Sequence, residues 1–116
     1  MTTRKFGLLG EEIARKLLVK KGYKIFTQNF RSRFGEIDIV ARDGDVLVFV
    51  EVKTRWSKKF GAPEEAVTPW KLAKIKRTAE YYCLLYPDMP KKLRIDVVAI
   101  EIENGRLKSA KIIKVD

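Results

Sequence analysis

Between residues 6 and 21 apolar side chains return at helical intervals. Leu9, Ile13 and Leu17 fall every four residues, with Ala14 and Leu18 beside them, which predicts a first helix ending at Gly22. The period then shortens to two. Residues 23–31 alternate loosely as a strand, and 35–42 and 45–53 read as two further strands joined by Asp43-Gly44, the strongest short hairpin signal. Residues 54–67, with Trp56, Phe60, Gly61 and Pro63, read as a loop. Thr68-Pro69 then supplies an N-cap and a proline for the first helical position. That second helix closes at Pro87, with Leu72, Ile75, Ala79, Cys83 and Tyr86 spaced to face a core. Residues 93–103 and 106–115 are predicted as strands about Asn104-Gly105. The order αβββαββ predicts an α/β fold, a mixed β-sheet flanked by helices.

The chain has 116 residues, 46% hydrophobic and 34% charged, without repeats or a Gly/Ser-rich linker, so 1–116 is expected to be a single folded domain. Its 25 Lys and Arg against 15 Asp and Glu leave a net charge of +10, which points to a polyanionic partner, above all nucleic acid. Histidine is absent, which removes Ser-His-Asp and Cys-His nucleophile systems and His-ligated zinc. One cysteine, Cys83, permits neither an intramolecular disulfide nor a Cys-pair metal site, and this suits a reducing cytoplasm. The first residues lack a signal-peptide pattern, and the longest apolar run, Val46 to Val50, is too short to span a bilayer. Binding to a membrane surface would ask for a basic amphipathic helix with bulky apolar anchors and is the lesser reading.

The candidate chemistry lies in the hairpin 35–53. If Asp43-Gly44 forms a two-residue turn, Arg42 faces Asp45, Asp38 faces Phe49 and Glu36 faces Glu51. Glu36, Asp38, Glu51 and Lys53 then share one face, and Asp38 and Glu51 are diagonal neighbours about 7–8 Å apart. The surrounding Val46, Leu47, Val48, Phe49, Val50 and Val52 mark a central, buried strand. Like charges there require a cation between them, either Lys53 or a divalent metal. A hard ion such as Mg²⁺ or Mn²⁺ takes one or two carboxylates plus waters and substrate phosphate, and it can polarise a phosphodiester. A nearby lysine can orient the attacking water or offset the charge that builds on phosphorus.

Asp38 followed by Glu51-Val52-Lys53 resembles the D…ExK signature of the PD-(D/E)xK nuclease-like superfamily. Gly7-Leu-Leu-Gly-Glu11 with Ala14, Gly35-Glu-Ile-Asp38, Phe49-Val-Glu-Val-Lys-Thr-Arg55, Phe60-Gly61, Lys71 and Arg94-Ile-Asp96 together resemble the YraN-like family. This uncharacterised bacterial group is similar in fold to archaeal Holliday junction resolvases. The resemblance covers roughly residues 5 to 102. It implies a restriction-endonuclease-like fold, Asp38 and Glu51 as metal ligands, Lys53 as the catalytic lysine, and Glu11 as a third acid serving the metal.

Each of these residues also has an ordinary alternative. Glu11 and Glu12 each have a cation four residues on, Arg15 and Lys16, and both could be plain helix pairs. Glu36 is either an additional ligand or the partner of Arg33 or a lysine. The loop Arg55, Trp56, Lys58, Lys59 and Phe60 interleaves cations and aromatics suited to backbone and base contacts, or is a solvated loop. Lys71, Lys74, Lys76 and Arg77 give the second helix a basic side; with Arg33, Lys71 and Lys74 are candidate nucleic-acid contacts. Asp96 is expected to pair with Arg94 or another cation, a metal role being the lesser reading. The expectation is a metal-dependent endonuclease acting on DNA rather than RNA, branched or damaged DNA included. The alternative is a non-catalytic nucleic-acid-binding module or scaffold. A two-fold junction substrate would favour a homodimer, since paired cuts need paired sites.

Overall fold

The computed structural model describes residues 3–55 and 67–116, with side chains from residue 7 onward. Among the described residues, two helices sandwich one five-stranded sheet. Helix α1 (Thr3–Lys20) leads into β1 (Lys24–Ser32), β2 (Gly35–Asp43) and β3 (Val46–Arg55). Helix α2 (Pro69–Leu85) then precedes β4 (Lys92–Glu103) and β5 (Arg106–Lys114). The strands lie in sequence order. Only the β3–β4 pair is parallel, as a crossover through α2 requires, and the others are antiparallel. The expected mixed sheet and element order are present; β3 runs through Thr54 and Arg55, which sequence alone assigned to the loop.

Helix α1 ends as its glycine dictates. Gly22 takes φ 92°, and Tyr23 N–H reaches back to the Leu18 carbonyl at 2.9 Å while Gly22 N–H bonds Val19. This is a Schellman closure. Ala14 and Leu18 are fully buried on Ile39, Ala41, Val48, Val50, Val98 and Ile100, whereas Ile13 and Leu17 are only partly covered and Leu9 is exposed. The buried arc is thus rotated toward Ala14 and Leu18. Gly10 lets the helix approach β3, because a Cβ there would collide with Thr54 Oγ1.

On the opposite face α2 starts at Thr68, whose Oγ1 accepts the Lys71 N–H at 3.1 Å, followed by Pro69. Ile75, Ala79 and Tyr82 pack on Val40, Leu47, Phe49 and Ile95. Tyr82 meets Phe30 and Phe49 edge-on and shares a hydrogen bond with Thr27 at 2.9 Å. Cys83 is partly buried against this cluster, as its spacing predicts, but Tyr86 is exposed and Tyr82 takes the core position instead.

The β2–β3 hairpin corrects one expectation. Its pairs run from Asp43↔Val46 to Ile39↔Val50, so the two loop residues are Gly44 and Asp45, not Asp43 and Gly44. Gly44, with φ 62°, occupies the first central position, where a II′ turn needs positive φ. Each strand moves by one residue relative to the expected register. The combined shift is even, so side chains keep their faces through the paired stretch from Ile39 to Asp43. At β4–β5, Asn104 and Gly105 both have positive φ, the requirement of a I′ turn.

Candidate metal and nucleic-acid site

β2 and β3 part company beyond Ile39↔Val50. β2 stays paired with β1 as far as Gly35, and β3 stays with β4 as far as Arg55, so a fork opens between them. Asp38 and Glu51 are the first residues past the last pair, one on each arm. Carried one step past its last pair, the corrected register sets them opposite each other rather than diagonally, and Glu36 is no longer across from Glu51. Asp38 Oδ2 accepts the Val52 N–H at 2.7 Å, so a side chain completes the ladder where the backbone has diverged. The neighbouring strand is distorted at the same level. Asn29 adopts φ 54°, and Ile37 packs with Val40 on the α2 side although Ile39 between them faces α1. This break in alternation is local to Asp38.

A cavity of about 450 Å³ opens at the fork, lined by Asp38, Glu51, Glu36, Arg33, Lys71 and Lys74 among others. Burial raises the Asp38 carboxyl to about 6; the Val52 N–H opposes this, and the charges of Glu51, Glu11 and Glu36 add to the rise. Glu11 thus acts on Asp38 through its field, while its neighbour Glu12 is the residue that pairs with Arg15, at 3.1 Å. Glu36 is exposed at the cavity rim and pairs with Arg31, at 3.5 Å, not with Arg33. Lys71, set in the first turn of α2 by the Thr68 cap, places Nζ 3.3 Å from Glu51 Oε1. Lys53 lies beside Glu51 and Lys71. Burial first, then the Lys71 ammonium, lower its pKa, which eases loss of its proton.

Asp38, Glu51, Glu36, Arg33, Lys71 and Lys74 therefore line one cavity, with Lys53 next to it. Arg55 is half-buried at the end of β3. Trp56, Lys58 and Lys59 lie outside the described residues. Sequence spacing did not reveal Phe34, held at the cavity by the β1–β2 turn, and it gave Lys71 no role toward Glu51. Asp96 pairs with Arg94, as expected, through Arg94 Nε at 2.7 Å.

The donor set is all oxygen, which suits a hard divalent ion. Among the described residues no three Asp, Glu or Cys gather closely enough to form a complete protein cage. Two carboxylates facing a cavity wide enough for waters and a phosphate match the way Mg²⁺ is held. Asp38 and Glu51 would leave room on such an ion for waters and a substrate phosphate.

A mixed sheet between two helices, with an acid pair at a strand fork and a lysine two residues beyond the second acid, defines an α/β nuclease-like protein. Residues 10–100 match the model of the uncharacterised protein family UPF0102. A UPF0102 protein of Syntrophomonas wolfei is 50% identical over 105 residues, covering 90% of this chain and 91% of that one. Another from Symbiobacterium thermophilum is 45% identical over 107 residues, 91% of each, and one from Caldicellulosiruptor saccharolyticus is 47% identical over 100 residues, 86% of this chain and 85% of its own. The chain belongs to UPF0102, a YraN-like family of the PD-(D/E)xK nuclease-like group.

Proposed function

We propose that this protein is a divalent-metal-dependent endonuclease that cleaves phosphodiester bonds in DNA, including branched or damaged DNA. The observation that carries the reading is Asp38, a half-buried carboxyl raised to about 6 among three other acids, opening into a cavity walled by cations. Perturbed acids in such a cleft are a mark of functional sites. Asp38 and Glu51 would hold Mg²⁺ or Mn²⁺. When bound, the ion supplies Lewis-acid polarisation of the phosphodiester and a lowered pKa for water. Lys53 accepts a proton from the attacking water or donates to the charge building on phosphorus. Lys71, paired with Glu51 in the free protein, turns to the phosphate, and Lys74 and Arg33 hold the flanking backbone.

A second reading, a binding module or scaffold that does not cut, draws on the Lys71–Glu51 pair, which already neutralises one of the two acids. End-labelled DNA and RNA, as single strands, duplexes and junctions, separate the two in Mg²⁺ or Mn²⁺. Cleavage should fall at least about a hundredfold in Asp38→Asn, Glu51→Gln and Lys53→Met, the scale on which catalytic groups act. Cleavage indifferent to all three, or none by the native chain, removes the assignment.

A further inference from the structure

Next to the acidic cavity lies a second groove of about 390 Å³, lined by Phe34, Trp70, Ala73, Lys74 and Arg77. Phe34 and Lys74 belong to both, so the two are continuous. Trp70 is 73% exposed, high for a ring of that size on the second residue of a helix. Each ring comes with a cation: Lys74 Nζ lies 5.4 Å from the Trp70 centroid and Arg33 lies 4.9 Å from that of Phe34. Among the described residues, no acid forms an ion pair with Arg33, Lys74 or Arg77.

The platform is rigidly placed. Ser32 Oγ accepts the Phe34 N–H at 3.1 Å and donates to the Gly35 carbonyl at 3.2 Å. Gly35, at φ 148°, presses the turn onto α2 so closely that a Cβ would stand 2.9 Å from Thr78 Oγ1. Phe34 in turn packs edge-on against Tyr81, centroids 5.3 Å apart.

Exposed rings with cations beside them suit a polyanion that also offers flat faces. A base inside a duplex has both faces covered by its neighbours; an unpaired base does not, and its stacking on protein aromatics is sequence-tolerant. Resting on the nuclease reading of the acidic cavity, we propose that this groove receives an unpaired nucleobase. It stacks against Trp70 and Phe34, with flanking phosphates on Arg33, Lys74 and Arg77. The substrate class is then nucleic acid with an unpaired nucleotide beside the attacked linkage, not continuous duplex.

The test is fluorescence anisotropy, without added metal, of labelled oligo(dT) and of a blunt duplex of equal length. Trp70→Ala should weaken oligo(dT) binding about tenfold, the scale of one lost base–aromatic stack, with less than about a twofold change on duplex. Trp70→Phe should restore most of it. Equal loss on both ligands, or no loss, overturns the proposal. So does a Trp70→Ala chain that dissociates from dimer to monomer in sedimentation with oligo(dT) binding intact, which would make the surface a contact between copies. The assay does not depend on cleavage. Selective Trp70-dependent binding by a chain that never cuts keeps the groove and removes the nuclease. Metal-dependent cutting of blunt duplex, equal in native and Trp70→Ala protein, does the reverse.

Discussion

Asp96 is fully buried, yet both of its oxygens are matched: Oδ1 takes Arg94 Nε at 2.7 Å, and Oδ2 takes Arg94 at 2.9 Å and the Tyr23 hydroxyl at 2.8 Å. Arg94 also reaches Asp43 at 2.9 Å, so it is held from two sides. Asp38 is less buried but faces Glu51, Glu11 and Glu36 with one backbone N–H for support. Depth of burial therefore does not separate a fully paired acid from one left facing other acids. What separates them is whether the fold supplies the compensating cation. At Asp96 it does, and at Asp38 a cavity stands in that place.

The largest expected effect falls on the matched site. Asp96→Ala breaks a buried pair, leaves Arg94 to Asp43 alone and deprives the Tyr23 hydroxyl of its acceptor, and should cost about 3–5 kcal/mol in urea denaturation. Asp38→Asn should go the other way. An amide keeps the acceptor for Val52 N–H and removes the charge, so the metal-free protein should gain about 2–3 kcal/mol at neutral pH, the size of a two-unit shift, and melt at a higher temperature. A destabilised Asp38→Asn would mean that the fold already balances this acid.

That gain should depend on pH with a definite sign. The folded-state value of about 6 lies above the ordinary 3.8, so the folded protein keeps this proton to higher pH than the unfolded chain. The penalty is absent below about pH 4, grows as pH rises to 6 and is constant above it. Melting curves of native and Asp38→Asn protein should therefore converge on acidification and separate between these limits. The smallest effect belongs to Tyr23→Phe, which deletes one of the bonds to Asp96 while Arg94 still serves it. About 1 kcal/mol should be lost, with cleavage unchanged.

The contrast between the two aspartates was only half legible in the sequence. Arg94-Ile-Asp96 showed an acid and a cation on one strand face, but Tyr23 and Asp43, brought in from β1's approach and β2's end, are tertiary partners that no local pattern reveals. That Asp38 and Glu51 meet was readable because the shift of register is even; the break in alternation beside Asp38 was not. Their direct opposition was not, because Asp-Gly and Gly-Asp turns fit the same residues around Gly44. The fork and the left-handed Asn29 also escaped, since both follow from where two ladders diverge. Trp70, directly after the Thr68-Pro69 helix start, carries no local signal of a role. Its place beside Phe34 emerges only once the β1–β2 turn is seated on α2.

The central claim is that a divalent ion is the missing cation between Asp38 and Glu51. Anomalous diffraction from crystals soaked in Mn²⁺ tests it most directly. The account predicts a single strong peak in the cavity within coordination distance of both carboxylates, with Lys71 Nζ withdrawn from Glu51. A cavity without manganese, with the Lys71–Glu51 pair intact at 3.3 Å, would contradict it.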